Sequence, residues 1–200
     1  MLTRTSLLLA SAHATQTTWE GGPTYDITYD AASTGLKFDV TVPANMWWGI
    51  SYADTMTNVD QVVFAGSGDA GTVTDLWSTG YSRPTTDTTQ DYTPATGTLA
   101  EDVYTFAVTR PLDTGDSDQD QVLACGNDYE MEWTGNKNTA DLNKHTTRNG
   151  FTLKLAADCS VSIESESGSD DDDHDHDHDS GISMGASIFT IIASALFINA

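Results

Sequence analysis

The stretch Met46-Trp-Trp-Gly-Ile-Ser-Tyr-Ala-Asp-Thr-Met-Thr-Asn-Val-Asp-Gln-Val-Val-Phe64 reads as two strands joined by a polar connection. Met46, Trp48, Ile50 and Tyr52 alternate on one face of the first strand. Ala53-Asp-Thr55 supplies a turn, and Gln61 to Ala65 begins a second apolar run. Two adjacent tryptophans are costly in a surface loop, so at least one belongs under a core or beside a ligand. Met56 is the odd residue, a soft thioether just past the turn in a polar neighbourhood. Filling a gap under the strand ends is the ordinary use of such a side chain.

The same alternation extends outward from this pair. Tyr25 to Tyr29 has the pattern of an edge strand, and Leu36, Phe38, Val40 and Val42 share one face of the next, which Pro43 ends. On the C-terminal side, Thr72–Trp77, Val103–Arg110, Gln121–Cys125, Tyr129–Trp133 and Gly150–Leu155 read as further strands. Ser78 to Gly97, rich in threonine with two prolines, is a long ordered loop of a length that points to function. Thr139 to His145 has room for one helical turn, and no longer helix is expected in the folded region. Many short strands with turn signals between them predict an all-β fold, an antiparallel β-sandwich over residues 15–163.

Composition supports that class, because Thr, Asp, Gly and Ser are plentiful while the apolar runs are short. The formal charge is −22, and residues 15–163 carry 21 acidic side chains against 7 basic ones, about −14 for the folded part. Such a surface repels nucleic acid and anionic lipid, and suits a basic partner or a salty extracellular setting. Cys125 and Cys159 are the two cysteines, and in a secreted chain one disulfide joining them is the natural reading. No Cys/His spacing fits a structural zinc site. The carboxylates between Pro111 and Asp120 make calcium conceivable, but their spacing is not that of an EF-hand and turn chemistry explains them.

Both ends read as addresses. Residues 1–14, with Arg4, the apolar Leu7–Leu9 and small-residue cleavage patterns, resemble a short signal peptide; a plain disordered start is the alternative. Residues 164–181 form an acidic stalk or spacer, and residues 182–200 are an uncharged, mostly apolar tail that fits a GPI-attachment signal. Ser169 or Ser180 (or Gly181) would be the attachment residue. The run Asp170 to Asp179 alternates Asp and His, which reads as a solvated spacer or as a loose divalent-metal site.

The order of motifs resembles the DOMON family, extracellular β-sandwich domains. The likeness rests on Trp47-Trp-Gly-Ile50, Met56, Asp60-Gln-Val-Val-Phe64 and Val73-Thr-Asp-Leu76. It continues through Asp87, Thr109-Arg-Pro-Leu-Asp-Thr-Gly-Asp116, Asp120, His145 and Gly150–Leu155, covering about residues 24–157. One branch, which includes the cytochrome domain of cellobiose dehydrogenase and plant GPI-anchored cytochromes, binds haem b between a Met after the Trp-rich strand and a His before the last strand. Those positions match Met56 and His145, and the resemblance therefore implies a Met/His-ligated electron carrier. His145 is the only histidine between His13 and the acidic run, and Met46 and Met131 are alternatives to Met56. Trp47, Trp48, Ile50, Phe64 and Trp133 are the expected walls of the haem site. Redox partners would be external: ascorbate, a quinone or a surface reductase. Other DOMON domains lack the ligand pair, and the second reading is a haem-free module binding carbohydrate or protein through Trp77, Tyr81 and Tyr92. No catalytic constellation stands out.

Overall fold

The computed structural model describes residues 15–165. Every element among them is a strand: β1 (Gln16–Thr17), β2 (Thr24–Asp30), β3 (Gly35–Pro43), β4 (Trp47–Ser51), β5 (Thr57–Ala65), β6 (Thr72–Thr79), β7 (Thr85–Thr86), β8 (Thr98–Ala100), β9 (Val103–Pro111), β10 (Asn127–Asn136), β11 (Thr147–Leu155) and β12 (Val161–Ser165). They form two antiparallel sheets. One has the order β1-β2-β3-β9-β8 and the other β12-β11-β10-β4-β5-β6-β7. This is the expected all-β sandwich.

Period-two alternation decides what lies between the sheets. Leu36, Phe38, Val40 and Val42 of β3 and Tyr104, Phe106 and Val108 of β9 meet Trp48, Ile50, Val62, Phe64, Phe151 and Leu153 from the second sheet. Aromatic contacts run through this layer. Tyr25 stacks on Trp48 at 4.9 Å, Trp48 tilts against Phe64 at 5.7 Å, and Phe64 meets Phe106 edge-on at 5.5 Å. Each such pair adds about 0.5–1.5 kcal/mol beyond the area it buries. β4 pairs with β5 so that Trp47 lies opposite Ala65 and Trp48 opposite Phe64. Trp48 therefore points into the sandwich, while Trp47 packs on the other face of the same sheet with Val63, Ala65 and Leu76.

Three local expectations change. Gln121–Cys125 joins no ladder, because its amides are used elsewhere: Gln121 donates to Asp60 Oδ2 at 3.0 Å and Leu123 to the Leu112 carbonyl at 2.8 Å. Thr139–His145 forms no helical turn. Asn136 Nδ2 donates to the Lys144 carbonyl at 2.8 Å, and the Asn138 and Asp141 amides donate to the side chains of Asn136 and Thr139. Such side-chain to backbone bonds compete with helix. A further strand, β12, follows the expected last one, and its Glu164 pairs with Lys154 at 2.8 Å, so the sheet runs past residue 163.

Cys125 and Cys159 form a disulfide with their Cα atoms 4.8 Å apart. It ties the start of β10 to the β11–β12 turn. The expected signal segment, the run Asp170–Asp179, the attachment positions Ser169 and Ser180, and the apolar tail lie outside the described residues. No helix long and apolar enough to cross a membrane occurs among the described residues.

Candidate functional site

A cleft of about 550 Å³ opens on the outer face of the seven-stranded sheet, away from the core. Its floor follows from strand parity. Trp47 of β4, Gln61 and Val63 of β5 and Thr134 of β10 all point outward and line it. Gly49 sits between Trp47 and Ser51 on the same face; a Cβ there would meet the Val62 carbonyl at 2.5 Å and the Val63 side chain at 2.9 Å. No side chain rises from the floor at that position. One wall is the segment after β6, Tyr81 to Pro84, and the other is the β10–β11 loop, Leu142 to His145.

Met56 and His145 both line this cleft. Met56 belongs to the β4–β5 connection and is half-buried. Its carbonyl accepts from Ser78 Oγ at 2.6 Å, and its sulfur accepts from Gln61 Nε2 at 3.7 Å. Gln61 is itself oriented by donating to Ser51 Oγ at 2.9 Å. His145 is half-buried at the end of a loop that Asn136 holds through the Lys144 carbonyl, while the Thr146 amide donates to the Gly135 carbonyl at 2.8 Å. Burial holds the imidazole below its ordinary pKa, and the nearby Arg148 and Lys144 charges push in the same direction. The ring is therefore neutral at pH 7, the form in which imidazole ligates a metal.

Of the five wall residues expected from sequence, only Trp47 lines the cleft. Trp48, Ile50, Phe64 and Trp133 are buried between the sheets, where Trp133 meets Trp19 at 5.9 Å. The reason is the pleat: neighbours in a strand point to opposite faces, so one strand cannot give both Trp47 and Trp48 to one site. Of the alternative methionines, Met131 is buried in the core and Met46 packs against it. Of the aromatics in the second reading, Tyr92 is buried with its hydroxyl 2.7 Å from that of Tyr52, whereas Tyr81 is 91% exposed at the cleft mouth.

Sequence reasoning missed Gln61, Val63 and Leu142. Gln61-Val-Val-Phe64 reads as a single apolar run, but alternation inside it sends Gln61 and Val63 outward. Leu142 is an isolated apolar residue in a polar loop, and that isolation was its one signal.

The cleft fits a planar, largely apolar iron cofactor. Its volume lies in the range of about 300–1,000 Å³ usual for such sites. A thioether and a neutral imidazole are available as soft and borderline donors. Trp47, Val63, Leu142 and Pro84 give it apolar lining, and Arg83 and Lys144 lie on its walls as partners for carboxylate groups.

Comparison with known proteins agrees with this fold. No curated protein matches the chain. Among solved structures, the cytochrome domain of Myriococcum thermophilum cellobiose dehydrogenase is similar at a TM-score of 0.50 and 14% identity, over 70% of this chain and 78% of that one. That similarity is one of fold. The sequence model of the DOMON domain matches residues 23–136, more than half of the chain. The chain belongs to the DOMON domain family.

Proposed function

We propose that this protein is an extracellular b-type cytochrome that carries single electrons at the cell surface, with haem b seated in the outer-face cleft between Met56 and His145. The observation that carries the reading is the meeting of these two side chains, distant in sequence, on one cleft of cofactor size. Met/His-ligated haem supplies reversible one-electron chemistry with no open position for substrate, and the thioether raises the potential.

The chain's own residues provide the rest. Ser78 and Gln61 hold Met56 at the cleft, and Asn136 anchors the loop that presents a neutral His145. Trp47, Val63 and Leu142 exclude water from the interior, and Arg83 and Lys144 neutralise acidic groups on a ligand. Donors and acceptors would be external, such as ascorbate, a quinone or a surface reductase. The apolar tail of residues 182–200 would be exchanged for a GPI anchor at Ser169 or Ser180, keeping the domain on the outer side of the plasma membrane.

The exposed Tyr81 favours a second reading, a haem-free cleft that stacks a sugar ring or a partner side chain. Haem titration of the full chain against Met56→Ala and His145→Ala separates the two. Loss of uptake in both variants, with the wild type binding one equivalent, supports the cytochrome; a wild type that binds none rejects it.

A further inference from the structure

Away from the cleft, the sandwich encloses an acidic cluster. Asp60 of β5 and Asp75 of β6 come from one sheet, Asp120 from the loop after β9, and Asp87 and Asp91 from the long loop before β8. Oxygens of Asp60, Asp75 and Asp120 lie within 4.8 Å of one another, and all three residues are buried. Arg110 of β9, fully buried, is the cation facing them. Its Nη2 is committed to Asp60 Oδ2 at 2.7 Å and to the Gln121 carbonyl at 3.0 Å, and it reaches Asp120 Oδ1 only at 3.8 Å. Tyr52 and Tyr92 cover the guanidinium.

One guanidinium cannot satisfy five carboxylates. Among the described residues, six carboxylate oxygens here are buried and accept no hydrogen bond: Asp60 Oδ1, Asp75 Oδ1, Asp87 Oδ2, Asp91 Oδ2 and both oxygens of Asp120. Asp120 is the telling case. Its side chain is 1% exposed, it stands against the Asp91 carboxyl and among the other carboxylates, and no N–H or hydroxyl donates to either oxygen. Leaving a buried charged acceptor unmet costs several kcal/mol in general, so such groups are ordinarily paired, protonated or bound to a metal.

We infer that Asp60, Asp75, Asp87, Asp91 and Asp120 form a buried site for one divalent cation, calcium by its chemistry. Asp60, Asp75 and Asp120 offer converging hard oxygens, Asp87 and Asp91 hold further free ones, and calcium takes six to eight oxygen ligands at about 2.3–2.6 Å, water among them. Two ligands on opposite sides of such an ion stand about 5 Å apart, which matches the 4.8 Å within which oxygens of Asp60, Asp75 and Asp120 lie. Magnesium ordinarily keeps several waters and uses one or two carboxylates, so this donor set suits it less. Two positive charges also offset much of an excess of four carboxylates over one arginine. The ion would add to the bonds that already tie the two loops to the sheet, Gln121 N to Asp60 Oδ2 at 3.0 Å and Asp91 N to Asp75 Oδ2 at 3.2 Å.

The site is independent of haem and is tested without it. The full chain is stripped with EGTA, exchanged into chelator-free buffer and titrated with calcium chloride, by calorimetry and by thermal unfolding. The expected result is one ion per chain and a rise in Tm of about 5–10 °C at a hundredfold excess over Kd. Asp75→Asn and Asp120→Asn should remove that response. Asp87→Asn, on a loop, should weaken it and serves if the core variants do not fold. Replacing Asp170–Asp179 by serine should leave it intact. Equal Tm with calcium and with EGTA, a preference for magnesium, or a response that disappears with the tail run would each overturn the assignment.

Discussion

Gln61 donates its side-chain amide to the sulfur of Met56 at 3.7 Å, and its place is fixed in turn by Ser51 at 2.9 Å. The thioether is thus held by a residue that points out of β5 beside it. Removing a partner that orients a ligand typically costs about 10–100-fold in metal affinity. Gln61→Ala should therefore bind haem about tenfold more weakly while keeping a low-spin spectrum. Competition with apomyoglobin would measure the affinity, and an unchanged value would remove Gln61 from the site.

The Arg110–Asp60 pair is buried inside the sandwich, with both side chains 1% exposed or less. Breaking a buried pair by removing one partner costs about 3–5 kcal/mol because the other charge stays behind. Arg110→Met leaves five carboxylates facing an apolar side chain. Denaturant unfolding in EGTA should show a loss of that size, and a loss under about 1 kcal/mol would mean the pair contributes little.

The pH dependence of the calcium-free protein follows from the same cluster. Burial pushes Asp75 up to about 8, with Asp60 and Asp120 adding to the effect, and pushes Asp60 up to about 7 against the attraction of Arg110. Burial and the neighbouring Asp120 also raise Asp91, and burial raises Asp87. Tyr52 and Tyr92 stay protonated beside them. The folded state therefore binds more protons than the unfolded one, whose aspartates titrate near about 4. Stability is greatest below that value and falls as pH rises from about 4 through about 8. Urea midpoints in EGTA from pH 5 to 8 should decline, and calcium should flatten the slope. A rising midpoint would contradict the raised carboxylates.

The Cys125–Cys159 disulfide closes a loop with a sequence separation of 34. Loop-closure entropy for such a span predicts about 3–4 kcal/mol lost in a Cys125→Ser, Cys159→Ser double variant. Neither cysteine lines the cleft, so haem titration of that variant under native conditions should be unchanged.

Much of the fold was legible because one face of each long strand is buried. Leu36, Phe38, Val40 and Val42 announced β3, and Tyr104, Phe106 and Val108 announced β9, through alternation alone. The Met56 and His145 positions came from motif order, since nothing in a thioether after a turn or a histidine between Lys144 and Thr146 marks a ligand. The expected wall residues divide between cleft and core where the run is apolar on both faces. Trp47-Trp48 and Val62-Val63 each serve two environments, and composition cannot tell the core side from the cleft side. The acidic cluster was hidden for a different reason. Its five aspartates are spread from residue 60 to 120 and meet only through sheet pairing and two loops, so each one reads locally as a turn or strand-end residue.

The most direct test of the account is an absorption spectrum of the full chain, secreted with haem available, before and after dithionite. A sharp Soret band that shifts on reduction, with resolved low-spin ferrous bands that disappear in Met56→Ala and His145→Ala, is the predicted result. A folded, colourless protein that takes up no added haem would contradict it.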